Sequence, residues 1–136
     1  VRLDVLLSDL KRDEGLRLKP YLCTAGRTTI GVGRNLDDVG ITEAEALYLL
    51  ENDIGAAIRV CRRLFPTWDS MTDARQEALA NMAFNLGEAG LSKFKQMRAA
   101  IEAGDWNTAA QAVLASKYAY QVGDRAKRIA AALLNG

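Results

Sequence analysis

Three side chains with chemistry of their own fall around one corner of this 136-residue chain. Glu14 ends a short amphipathic run, Cys23 follows after eight intervening residues, and Thr29 after five more. A carboxyl can deliver or take a proton, a thiolate is a strong nucleophile, and a hydroxyl can hold a water or bind another hydroxyl. The position of Glu14 suits a working acid. Gly15 can take φ > 0 and close a helix there, which leaves the carboxylate on the last turn, within reach of water or a ligand. Cys23, near a reference pKa of about 8.5, is mostly protonated at pH 7 and a poor base, so its use lies in the nucleophilicity of the thiolate. Taken singly, each residue also has a bland explanation: a surface glutamate, a small half-buried hydrophobe in a hairpin, a β-branched residue that suits a strand.

Bringing these groups together requires a helix that ends at Glu14 and a hairpin directly after it. Leu3, Leu6, Leu7 and Leu10 recur at helical spacing, which predicts a helix over residues 3–13. Pro20 forbids its continuation. Thr28, Thr29, Ile30 and Val32, set among Gly26, Gly31 and Gly33, predict a small hairpin over residues 21–33 with its turn near Ala25 and Gly26. Asn35 to Gly40 reads as a polar turn. Thr42 with Glu45 forms a capping box that starts a long helix, whose buried stripe is expected at Leu47, Leu50, Ile54, Ile58 and Cys61. After Pro66, a helix over Thr72 to Leu86 carries Ala78, Leu79, Met82, Ala83 and Leu86, crowded enough for burial on several sides and for the part of a central post. Gly87 and Gly90 bracket a tight turn, and Leu91, Phe94, Met97 and Ile101 continue as a helix that Gly104 stops. Asp105 caps the next helix, lined by Trp106, Ala109, Ala110, Val113 and Leu114; a loop over Tyr118 to Gly123 then precedes a last helix from Asp124 to Leu134. The resulting fold class is mainly α (α+β). A small N-terminal β-hairpin lobe spans about residues 14–60, and a helical C-terminal lobe spans about residues 61–136 together with the N-terminal helix. A cleft between them is the natural ligand site.

The run Glu14, eight residues, Cys23, five residues, Thr29, followed at once by IGVG, resembles the phage-type lysozymes, the family-24 glycoside hydrolases that include the T-even phage enzymes. Two later segments are similar to the family in its own order. TDARQEALANMAFNLGEAGLSKF, Thr72 to Phe94, is similar to its central buried helix and the turn after it; QVGDRAKR, Gln121 to Arg128, is similar to its late active-site segment. The resemblance implies one lysozyme-like domain over residues 1–136. It also implies a muramidase of the endolysin kind, hydrolysing the β-1,4 bond between N-acetylmuramic acid and N-acetylglucosamine of bacterial peptidoglycan with neither metal nor cofactor. Glu14 would be the general acid, with Cys23 and Thr29 completing the catalytic set. Asn85, Gln121 and Arg125 would bind substrate, and Arg125 would orient Glu14. Two features depart from the best-known members: Cys23 stands where they have aspartate, and the segment between Gly33 and Thr42 is shorter. Glycoside hydrolysis needs a second group on the far face of the sugar, to attack directly or to activate water. Both roles stay open for Cys23, and thiolate nucleophilicity favours the covalent one. Arg34, where family members often carry histidine, is expected in a structural ion pair with Asp37, Asp38 or a helix-borne acid.

Composition bounds these expectations. With 49% apolar and 26% charged residues the chain has the make-up of a soluble globular domain, and no apolar run approaches the roughly 20 residues that span a bilayer. Asp4, Ser8 and Asp9 interrupt the first apolar stretch, so it lacks the core of a signal peptide. A host bacterial cytoplasm is the expected location, with a holin-like pore giving access to the wall. Two cysteines, no histidine and no CxxC exclude the familiar zinc spacings and any histidine-based triad. From Ala89 to the end, seven cations stand against three anions, a net +4 that would attract a polyanion such as the cell wall. The expected partner is peptidoglycan, bound by a monomer with no nucleic acid and no stable membrane insertion. Two other readings are a lysozyme-like domain that binds wall without cutting it, and a helical nucleic-acid-binding protein; for the latter the chain shows no groove-insertion or base-stacking motif.

Overall fold

The computed structural model describes all 136 residues, as seven helices and one three-stranded antiparallel sheet. The fold is mainly α, as expected. The chain divides into two compact units, Val1–Tyr48 and Leu49–Gly136.

The first unit opens with helix α1 (Leu3–Glu14), none of whose residues is buried. It ends at Gly15, which takes φ 77° and donates its N–H to Lys11 O at 3.0 Å. Strand β1 (Arg17–Leu22) pairs with β2 (Thr28–Gly31), and β2 with β3 (Arg34–Asn35), in the order β1-β2-β3. The first strand therefore begins four residues before the expected hairpin and contains Pro20. Proline is tolerated because β1 is an edge strand, and the register shifts between Arg17 and Tyr21, the interval that holds it. The β1–β2 turn falls at Ala25 and Gly26 as predicted. A third strand replaces the start of the expected polar turn, with Arg34 opposite Ile30 and Asn35 opposite Thr29. The turn proper follows, held by Leu36 N–H on Thr28 O at 2.8 Å and by Asp37 Oδ2, which accepts from Thr28 N–H at 2.8 Å.

Helix α2 (Glu43–Leu64) starts with the predicted capping box: Glu45 N–H donates to Thr42 Oγ1 at 3.1 Å, and Thr42 N–H to Glu45 Oε1 at 2.9 Å. Its expected stripe holds only in part. Cys61 is fully buried and Ile58 half-buried, whereas Leu47, Leu50 and Ile54 are exposed. Leu50 and Ile54 form one wall of an open groove described below.

The second unit centres on the last helix, α7 (Asp124–Asn135), which packs against three other helices, rather than on the expected post α3 (Asp73–Ser92). Helix α3 is capped by Thr72 Oγ1, which accepts from Arg75 N–H at 3.3 Å. Ala78, Leu79, Met82 and Ala83 are buried as expected, and Leu86 is partly so. Gly87, at φ 70° and ψ 174°, is non-helical and breaks α3 there, so its first segment ends at Leu86 as expected and a second short helical segment runs on to Ser92. Helix α4 (Lys95–Glu102), α5 (Trp106–Leu114) and α7 (Asp124–Asn135) complete the core. Phe65, Leu79, Met82, Leu91, Met97, Val113 and Leu133 are its largest fully buried side chains. Asp105 caps α5 as predicted, through Thr108 N–H at 3.1 Å, but Leu114 at its end is exposed. The expected loop over Tyr118 to Gly123 is instead a short helix, α6 (Lys117–Val122). Ser116 starts it by accepting from Ala119 N–H at 3.2 Å, and Gly123 at φ 59° separates it from α7. No helix is long and apolar enough to cross a membrane.

Candidate active site

In the first unit, the helix end and the sheet together position Glu14, Cys23 and Thr29. Glu14 is exposed on the last turn of α1, and its carboxylate lies against Gly33 in the β2–β3 connection, where a Cβ would stand 3.1 Å from Oε2. Cys23 closes the β1–β2 turn. Its N–H donates to Arg27 O at 2.9 Å, Gly26 N–H donates back to Cys23 O at 2.9 Å, and Arg27 N–H reaches Cys23 Sγ at 3.4 Å. The Arg27 N–H, followed by that of Ala25, holds the thiol below its ordinary pKa, outweighing the opposite effect of burial. A thiol so placed is more readily a thiolate than a free cysteine is.

Thr29 sits on the central strand, only 3% exposed, opposite both Tyr21 and Asn35. Its hydroxyl donates to Arg27 O at 2.9 Å. The hydroxyl also neighbours the Cys23 thiol. With its one proton given to Arg27 O, the hydroxyl keeps only lone pairs for any further partner. Cys23 and Thr29 are thus brought together through Arg27, while Glu14 lies beside Gly33 at the β2–β3 end of the same sheet.

Arg34 clamps this sheet to the start of α2. Its Nη1 donates to Glu45 Oε1 at 2.7 Å and to Gly40 O at 3.1 Å, so the predicted ion pair is made with a helix-borne acid. The Arg34 guanidinium and then the Thr42 N–H and hydroxyl lower the Glu45 carboxyl to about 2.

The second unit carries the other three expected residues. Arg125, at the start of α7, donates from Nε to Asn81 Oδ1 at 2.8 Å and from Nη2 to Asn81 O at 3.3 Å. Asn85 is exposed one turn further along α3, before the Gly87 kink, and Gln121 is exposed on α6, not on a loop. Asn81 was missed by the sequence reading although it precedes Asn85 by four residues, one turn along the same face of α3. A groove of about 380 Å³ runs past Asn81 and Arg125, with Leu50, Ile54 and Phe84 as its apolar wall and Glu77 at its rim. Amide, guanidinium and apolar surface together are what a sugar with acetamido and carboxylate substituents can use. No group of three or more cysteine, aspartate or glutamate side chains converges to hold a metal ion.

Residues 11–134 match the family described as Phage lysozyme. The chain is 35% identical to the pre-baseplate central spike protein Gp5 of Enterobacteria phage T4, over 93% of this chain and 27% of that protein. It is 28% identical to the probable T4-type lysozyme 2 of Dictyostelium discoideum, over 88% of each chain. With the endolysin of Acyrthosiphon pisum secondary endosymbiont phage 1 it shares 37% identity over 57% of this chain and 54% of that one. It therefore spans about a quarter of the spike protein's length and about half of the endolysin's.

Proposed function

The chain belongs to the phage lysozyme family, and from that premise we propose that it is a muramidase that hydrolyses the β-1,4 bond between N-acetylmuramic acid and N-acetylglucosamine in peptidoglycan. The observation that carries the reading is the presence, within one small unit, of an exposed helix-end carboxyl and a thiol whose turn N–H groups favour the thiolate. Glu14 protonates the leaving glycosidic oxygen. The Cys23 thiolate attacks the anomeric carbon, so the sugar passes through a thioglycosyl intermediate; water then releases it, with Glu14 taking the proton back. Thr29 holds that water or a sugar hydroxyl with its free lone pairs. Asn85, Gln121 and Arg125 bind the wall polymer through amide and guanidinium hydrogen bonds, and Asn81 keeps Arg125 in place. Residues 1–136 act as one lysozyme-like domain, as a monomer, on peptidoglycan.

Replacing Glu14 by glutamine tests the assignment, because the amide is nearly isosteric and cannot deliver a proton. Wall lysis by Glu14→Gln is expected to fall about 10²- to 10⁴-fold with the melting temperature unchanged. Retained lysis would remove Glu14 from the mechanism. A wild-type chain that sediments with walls without clearing them would make this a wall-binding domain instead.

A further inference from the structure

We infer that Gly33 is a positioning residue that sets where the Glu14 carboxylate stands, a step that rests on the muramidase reading above. Gly33 lies in the short β2–β3 connection closed by the Ile30–Arg34 pair, and its φ is +70°. A Cβ there would stand 3.1 Å from Glu14 Oε2, 3.4 Å from Cδ and 3.5 Å from Cγ. The acid therefore rests against a bare Cα, in space that only glycine leaves free.

Gly31 supplies the comparison that isolates this contact. It belongs to the same hairpin and has nearly the same φ, +69°, yet nothing lies within 4 Å of where its Cβ would be. Alanine at either position meets the same left-handed backbone strain. Alanine at 33 alone also meets the acid. Because Glu14 is exposed, it can yield by swinging aside, so the added methyl displaces the carboxylate rather than further destabilising the unit. General-acid catalysis needs the carboxyl within hydrogen-bond reach of the leaving oxygen, and a misplacement of about 1 Å can lower a rate about 10²-fold. A displacement of a few tenths of an ångström is expected to lower kcat roughly tenfold.

Gly33→Ala and Gly31→Ala are compared in melting temperature, in kcat and KM on soluble peptidoglycan fragments, and in the carbon-13 resonance of the Glu14 carboxyl, assigned by its loss in Glu14→Gln. Both variants should lose similar thermal stability. Only Gly33→Ala should show the further fall in kcat at unchanged KM, and only there should the Glu14 resonance move. Gly33→Asn, which keeps the Cβ but tolerates positive φ, repeats the test with less strain. Equal kcat and an unmoved resonance across these variants would overturn the inference. If the wild type does not hydrolyse wall fragments, the muramidase reading fails, while the resonance still decides whether Gly33 places Glu14.

Discussion

The two cysteines should differ in alkylation rate by orders of magnitude, in a way that reports directly on how the fold treats each thiol. Cys61 is fully buried in the core of the second unit, and burial pushes its thiol up to about 12. At pH 7 that leaves about one part in 10⁵ as thiolate, the reactive form. Cys23 is half-buried and held below the ordinary thiol value by the Arg27 and Ala25 N–H groups, so at the same pH more of it is thiolate than the few per cent of a free cysteine. The difference in thiolate fraction alone is at least about 10³-fold, before the lack of access to Cys61 is counted. Native protein treated with iodoacetamide and analysed by peptide mass mapping should show Cys23 modified well before Cys61, with the midpoint of the Cys23 rate against pH below that of a free cysteine. In guanidinium chloride the two should react at similar rates. Comparable native rates would refute both the turn geometry around Cys23 and the burial of Cys61. Loss of wall lysis in step with Cys23 alkylation is the functional counterpart.

Two further outcomes follow from the same unit. Folding lowers the Glu45 carboxyl from 4.5 to about 2, so its stabilising effect is complete above pH 4.5 and is lost as pH falls through about 2. The melting-temperature gap between wild type and Glu45→Gln should therefore be small but measurable at pH 7 and should close over that window. A gap of the same size at both ends would contradict the Arg34–Glu45 clamp. A covalent thioglycosyl route predicts that freshly released product retains its anomeric configuration by proton NMR, that Cys23→Ser is nearly inactive and that Cys23→Asp is active. An inverted product would reduce Cys23 to a group that positions water.

Much of this architecture was legible in the sequence where local chemistry decides it. The Gly15 stop after Glu14, the Ala25–Gly26 turn, the Thr42–Glu45 capping box and the Asp105 cap each depend on a few adjacent residues, and each was found where expected. The buried run Ala78, Leu79, Met82 and Ala83 was legible because it is crowded as well as periodic. No helix runs through Pro20, as expected, but its place inside β1 was not legible, since its tolerance there depends on the strand being at a sheet edge. The two-residue strand β3 is too short for any alternation to show. Leu47, Leu50 and Ile54 keep helical spacing yet stay exposed, because periodicity reports which residues share a face and not whether anything covers it. Among the proposed site residues, Glu14, Cys23 and Thr29 stand out in the sequence by their spacing, and the structure sets Cys23 and Thr29 around Arg27. Gly33 and Asn81 came only from geometry, one through the space beside an acid and the other through a hydrogen bond across 44 residues.

The most direct measurement is mass spectrometry of purified peptidoglycan digested with the wild-type chain. A muramidase adds one water per bond cut, so the fragments should end in reducing N-acetylmuramic acid, and Glu14→Gln should yield none of them. Fragments ending in anhydro-muramic acid, lighter by that water, cuts confined to the stem peptides, or an uncut wall would each contradict hydrolysis of the sugar backbone by this chain.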